Sequence, residues 1–489
     1  MVVIRFGEWL PDLPDFENEG ATEAKNVIPA ARGYRPLRSL NTYSSALDGR
    51  CRGAVSASDK NAANYTFAGS GDRLYRLVDT VMTDASKAGG YSLGVSAGWE
   101  FAIWGETVIA VSVDAPTQTI SMGGTAFADL IASIRKPKAH HIGVVRDFVV
   151  LGNTFDSIDG AVPYRVWWSA IDDASNFDPS ATTQCDFQNL LGGGGPVQKI
   201  VGGEYGVVVQ RRAIVRMSYE GSPTVFRFDE VDRNRGAISA GAVTSLGSVV
   251  FFIADDGFYA FDGSTSTPIG KGKVDATFLA DLDPAHLDRI SATVDPINAV
   301  VFWAYPGAGN NNGTPNKLII FDWPSGKWAR AEIETEYLFR GIAAGYSLEG
   351  LDSISGSLDA LPASLDDPLW KGGALLPAAF TSAHLLAYFT GEPMDATVET
   401  GEVQMFEGKR AFVRALRPFV GGTGTITIRI GSRDRQTDPV SWGPGTGLNA
   451  LGNAEMRASA RYQRARVVIS GGFDHAIGID AEVRPEGVR

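Results

Sequence analysis

Runs of aromatic and β-branched residues, each broken by a tight Gly or Asp turn and then resumed, set the rhythm of this chain. Tyr65–Gly69 passes through Ser70-Gly71-Asp72 to Leu74–Leu77, and Phe101–Trp104 through Gly105-Glu106 to Thr107–Val111. Val144-Val145 turns at Arg146-Asp147 into Phe148–Leu151. Val249–Ile253 turns at Ala254–Gly257 into Phe258–Phe261, and Leu318–Phe321 turns at Asp322–Gly326 into Lys327-Trp328. A strand, two to five turn residues and a second strand is the signature of a β-hairpin. Hairpins that recur unevenly from residue 51 to 345 predict an irregular β-propeller, with a stack of β-sandwiches as the competing arrangement. Helix is expected only near Ala276–Ala280 and from Pro284, since proline suits a first helical position.

Outside that region the pattern changes. Residues 1–50, punctuated by Pro11, Pro14, Pro29 and Pro36, read as an extended N-terminal arm without a core of its own. Residues 346–375 repeat Ser and Leu-Asp without alternation, and read as an ordered linker anchored by Leu358, Leu361, Leu365 and Trp370. Residues 376–489 read as a smaller antiparallel β-sandwich or barrel. There, Ala411–Leu416, Thr425–Ile430 and Arg464–Ile469 alternate as one half-buried sheet. The expected fold class is therefore all-β, an irregular propeller followed by this smaller domain.

Composition narrows the function. Among 489 residues there are 57 Gly and 24 Pro, which suits many short strands. The net charge is −12; residues 376–489 hold 13 Lys and Arg against 12 Asp and Glu, so the acidic excess lies in residues 1–375. An acidic chain without a basic run is a poor wrapper of nucleic acid. No apolar run is long enough to span a bilayer, and the N-terminus lacks the pattern of a secretory signal. Two cysteines, Cys51 and Cys185, exclude a disulfide framework and leave one bridge open.

Candidate chemistry is thin. Gly192–Gly195 is followed by Pro196–Lys199 rather than by the Lys and hydroxyl of a phosphate loop, and reads as a flexible loop. The pairs Asp172-Asp173, Asp255-Asp256 and Asp366-Asp367 point to opposite faces if they lie on strands, so they do not suit two carboxyls acting on one glycosidic bond. Asp281-Leu282-Asp283 is too short for a calcium loop. His140-His141 follows the basic stretch Arg135–Lys138 and reads as a solvated strand entry. Trp167, Trp168, Trp303, Trp323 and Trp328 either line a sugar groove or seal the packing between blades, and packing is the expectation. No catalytic, cofactor-binding or metal-ligating residue is assigned, no cofactor is expected, and the protein is read as a non-enzyme.

One long stretch carries a resemblance. Arg165–Ala170, Gly195–Val197, Arg212–Met217, Val225–Phe228, Asn234–Ile238, Asp256–Gly263 and Ile269–Asp275 occur in that order, and the end from Arg461-Tyr462 to Gly487–Arg489 belongs to it. The succession resembles the tail nozzle family of short-tailed bacteriophages and related prophages, also called tail tubular protein B or packaged-DNA stabilisation proteins. The resemblance implies a virion protein, assembled in the host cytoplasm, that forms a ring, typically a homo-hexamer. Such a ring retains packaged DNA and becomes its exit channel during ejection. The implied partners are further copies of the chain, the tail adaptor beneath the portal, tail fibre, spike or distal tail components, and genomic DNA passing through the lumen, with no stable membrane insertion.

With that reading go an acidic lumen lining, the loops Gly192–Gly195 and Gly307–Asn316 as lumen or interface tips, and ring contacts through the neutral C-terminal domain. The alternatives are a propeller-type adhesin or glycan-binding tail protein and, behind it, a glycoside hydrolase.

Overall fold

The computed structural model describes residues 2–16, 18–343, 357, 373 and 375–487. All five hairpins form, and Val145 faces Phe148 across a tight turn with Arg146 at φ 51°. Within the described residues the hairpins extend into seven four-stranded blades. Blade 1 spans Ala54–Ser58 to Val81–Asp84, blade 2 Glu100–Trp104 to Ala128–Asp129, and blade 3 Lys138–Val145 to Asp186–Asn189. Blade 4 spans Val197–Val201 to Val225–Asp232, blade 5 Thr244–Leu246 to Ser266–Pro268, and blade 6 Ser291–Asp295 to Lys327–Glu332. The first strand of each blade is innermost. These inner strands stand side by side around an axis, and blades 4 and 5 meet through the core of Val207, Val209, Val250 and Phe252. Each blade is antiparallel, so the links between blades and the loops between second and third strands share one face, here the linker face.

Blade 7 departs from the expected boundaries. Its inner strand Tyr337–Ile342 pairs with Leu375–Phe380, then Leu385–Tyr388, and its outermost strand is Asn41–Ala46 from the other end of the chain. The propeller therefore begins at residue 41 and runs to 388, not from 51 to 345. Leu375–Tyr388 pairs with blade 7 rather than opening the C-terminal domain. The reason is ring closure, in which a strand from one terminus completes a sheet built from the other and removes two open edges. The linker anchors Leu358, Leu361, Leu365 and Trp370, with Asp366-Asp367, lie outside the described residues.

The supposed N-terminal arm is largely interior. Val2–Arg5 pairs with the last strand, Phe473–Pro485, and the hairpin Val27–Pro29 with Tyr34–Pro36 joins that same strand. Ala21–Lys25 lies between the outer strand of blade 6, through the pair Lys25 and Arg330, and Ala396–Thr400. Phe6, Trp9, Ala21, Ala24, Val27, Tyr34 and Leu37 are buried in the main core. Prolines and an irregular pattern hid this, because each short piece joins a different sheet.

The C-terminal domain is a sandwich. One sheet holds Val2–Arg5, Phe473–Pro485, Ala411–Gly422 and Ala454–Ala460, and the facing sheet holds Ala21–Lys25, Ala396–Thr400, Tyr462–Ser470 and Thr425–Arg433. Val413, Leu416, Ile479 and Ala481 of one sheet pack against Val398, Ile428, Val467 and Ile469 of the other. Ala411–Leu416 thus sits opposite the two strands with which it was expected to pair. Alternation identifies a strand's buried face and says nothing of its neighbour.

The second sheet continues the outer edge of blade 6, so the two domains share a ten-stranded sheet. Glu23 and Glu399 face each other across it, a repulsive pairing in isolation. Arg330 grips Glu23 through two bonds of 2.7 and 2.6 Å, and Arg466 and Arg464 hold Glu399 at 2.7 and 3.1 Å. These alternating charges join the propeller to the sandwich.

Deleting residues 2–46 should leave neither domain with a cooperative thermal transition by circular dichroism; a sharply melting remnant would show that the segment is a dispensable arm. Trp328, fully buried between blades 5 and 6 with its Nε1 donating to the Ile269 carbonyl at 3.2 Å, anchors that packing. Trp328→Ala should cost about 3–5 kcal/mol in urea unfolding.

Candidate functional site

The inner strands bring polar groups from separate blades to the propeller axis. Glu100 begins blade 2, His141 lies in the first strand of blade 3 and Lys199 in the first strand of blade 4. Glu100 Oε2 meets His141 Nδ1 at 3.0 Å, and Glu100 Oε1 meets Lys199 Nζ at 3.1 Å. The Ile142 N–H also donates to Glu100 Oε1 at 3.3 Å. Burial works to raise the Glu100 carboxyl, but Lys199 and His141 outweigh it and hold the group below the ordinary carboxylate range. This is a brace across three blades, with the carboxylate's capacity largely taken up. Next to it, His140 is solvent-accessible; the surrounding protein, then the neighbouring His141, lower its pKa to about 4.

A second group lies at the linker-face end of the axis. Glu336, directly before the inner strand of blade 7, accepts the Cys51 N–H at 2.8 Å and meets His384 Nδ1 at 2.7 Å. Burial raises its pKa. Arg50 and Arg52 flank Cys51 in the link into blade 1, and Arg289 ends the 3-10 turn Pro284–Arg289 that leads into blade 6.

Trp167, Trp303 and Trp328 are fully buried and Trp168 nearly so, while Trp323 is half-buried with its ring 6.1 Å from that of Phe251. Trp303 and Trp328 close on Phe258 at 5.0 and 4.9 Å, sealing blade 5 against blade 6. The packing expectation holds for these rings, and none of the fully buried ones can serve as a sugar platform.

Among the described residues, Asp173, Asp255 and Asp256 of the paired carboxylates have structural partners. Asp255 pairs with Arg211 at 2.6 Å, Asp256 accepts the Tyr259 hydroxyl at 2.7 Å, and Asp173 caps a turn at Ser175. Asp281 is held by Lys317 and Tyr305, and Asp283 by His286 and Asn310. Among the described residues no group of three or more His, Cys, Asp or Glu side chains is placed to hold a metal ion. Cys51 and Cys185 are free buried thiols, and burial pushes Cys185 up to about 12. The loops Gly192–Gly195 and Gly307–Asn316 share the linker face, the first leading into blade 4 and the second joining the middle strands of blade 6.

Asp275 explains two glycines of the resemblance stretch. Its carboxylate lies where a Cβ on Gly257 or on Gly270 would fall, 2.2 and 2.0 Å away, and it accepts the Phe258 N–H at 3.1 Å. Gly257 also has φ +136°, which disfavours any side chain. Burial raises Asp275 from 3.8 to about 6. Sequence reasoning missed this knot, as it missed Glu100, Lys199 and the arginines, because each depends on residues brought together from separate turns or blades.

A cavity lies elsewhere, at the junction of the N-terminal segment, blades 6 and 7 and the sandwich. It encloses about 650 Å³ over the stacked rings of Phe302 and Phe389 and is lined by Arg35, Asp295, Glu392 and Asp474. Arg35 is committed to Asn298 there, with bonds of 2.6 and 2.9 Å.

The chain is thus a β-propeller protein with a fused β-sandwich. No family model and no curated protein matches it. Among solved structures it is similar to BamB from Moraxella catarrhalis, at 10% identity and TM-score 0.36 over 79% of this chain and 99% of that one. It is also similar to the WD40 domain of Pan2 from Neurospora crassa, at 6% identity and TM-score 0.40 over 74% and 96%. At these scores neither likeness bears on function, and the propeller stands on the chain's own seven sheets.

The raised pKa of Asp275 sets a direction for stability. Its folded-state value exceeds the unfolded value of 3.8, so the fold is favoured below about pH 4 and loses that contribution as pH rises toward 6. Asp275→Asn should therefore gain about 1–3 kcal/mol on the wild type between pH 4.5 and 7.5 in urea unfolding. A difference independent of pH would contradict the assignment.

Proposed function

We propose that the protein is a non-enzymatic structural component whose propeller is a rigid body for binding other proteins. The observation that carries this reading is where the reactive side chains go. Asp173, Asp255, Asp256, the axial Glu100 and the carboxylates Glu23 and Glu399 of the shared sheet are each engaged by a cation or a turn within the fold. A propeller closed by its own N-terminal strand and fused to a sandwich through a common sheet suits a load-bearing or docking role.

The finer reading is the one the resemblance implies, a subunit of a ring in the tail of a short-tailed phage. One surface favours it. The outward face of the sandwich carries a groove of about 470 Å³ lined by Val3, Arg5, Arg417, Pro418, Phe419, Val420, His475 and Ile477, without a carboxylate. Val3 is 55% exposed and Phe419 37%. An apolar groove with a positive rim complements a chain of net charge −12. The alternative, a propeller-type adhesin or glycan-binding protein, shares the propeller, but four of the five tryptophans considered for a sugar groove lie in the core and would not form it.

Light scattering and electron microscopy of the full chain test the ring. The expected result is a closed rotational assembly of 52.1 kDa subunits that Val3→Glu with Phe419→Glu dissolves. A monomer at high concentration would remove the ring and leave the binding body alone. Turnover of a small molecule lost on mutating Glu100 or Glu336 would overturn the structural reading altogether.

A further inference from the structure

We propose that the linker-face mouth of the propeller axis binds a small oxyanion, a phosphate or carboxylate group, between Arg50 and Arg289 with Arg52 beside them. The site goes beyond the binding role above and does not depend on it.

Topology places the residues together. Arg50 and Arg52 lie in the link that enters blade 1, Arg289 in the link that enters blade 6, and Glu336 just before the inner strand of blade 7. They come from three successive blades at one end of the axis. Among the described residues Arg50 has neither a hydrogen bond nor an ion pair, although it is half-buried. The Arg289 side chain is 13% exposed, and its buried Nε lies 3.4 Å from Oδ2 of the adjacent Asp288 without forming a hydrogen bond. Arg52 donates to the carbonyls of Gly94 and Ala97, and its Nε is also buried without a partner.

The nearby carboxylates Asp72, Asp288 and Glu336 offset this group only in part. Glu336 is occupied by the Cys51 amide and His384. Burial first, then the like charges of Arg289 and Arg52, pull Arg50 down to about 10, and these repulsions exceed the attractions of Asp288 and Glu336. Phosphate or carboxylate oxygens can accept several guanidinium N–H bonds at once and would relieve that repulsion.

Calorimetric titration of the full chain with inorganic phosphate tests the site, with citrate as the carboxylate probe and sodium chloride at matched ionic strength. The expected result is one saturable site per chain with Kd on the order of 0.1–1 mM. Phosphate alone binding points to a phosphoryl ligand, and citrate alone to a carboxylate ligand. Arg50→Gln should weaken binding at least about tenfold, while Arg227→Gln, on the outer strand of blade 4, should leave it unchanged. Among the described residues Arg50 makes no bond, so its loss is a safer test than that of Arg289. No saturable binding of either probe, an equal effect from chloride, or wild-type affinity in Arg50→Gln would overturn the proposal.

Discussion

Pairing between the two ends of the chain is the constraint on which the rest depends. Asn41–Ala46 completes blade 7, Ala21–Lys25 bridges blade 6 to the sandwich, and Val2–Arg5 lies along the last strand. Without the first, blade 7 keeps three strands and the ring loses the strand that ties its last blade to its first; without the others, the sandwich loses strands from both its layers. Such contacts carry a high loop-closure cost, because ordering a short segment against strands formed by the far end of the chain is entropically expensive. They persist because each is reinforced. Phe6, Trp9 and Tyr34 are buried, the Tyr34 hydroxyl donates to the Gly7 carbonyl at 2.8 Å, and Asp12 accepts the amides of Ala276 and Thr277 at the start of a helix beside blade 5.

The same logic governs the charges. A net −12 suggests a surface arranged for repulsion, yet many of the carboxylates are spent inside the fold. Glu399 is 4% exposed between Arg464 and Arg466, and Glu402 is 1% exposed against Arg433. At the propeller axis Lys199 and His141 flank Glu100, and three arginines stand at one mouth.

Much of the architecture was legible in the sequence. Strand, turn and strand are local properties, set by side chains that alternate and by residues such as Gly257 or Asp322 that permit a turn, so all five quoted hairpins appear where the pattern puts them. The short helices near residues 276 and 284 were likewise readable from local cues. The tryptophans read as packing because large rings at strand ends bury well, and Trp167, Trp168, Trp303 and Trp328 do so.

What the sequence by itself determined is therefore the alphabet of the fold: strands, their buried faces, their turns, and the surplus of negative charge in the larger part. Tertiary structure alone decided the partners. It placed Ala411–Leu416 opposite rather than beside its expected neighbours, moved the domain boundaries to admit the first 46 residues, slotted Asp275 between two glycines, and gathered Arg50, Arg52 and Arg289 at one mouth. The physical reason is range. Periodicity records which side of a strand meets the core, whereas sheet order and polar clusters arise from contacts between residues hundreds of positions apart, which leave no mark on the residues in between.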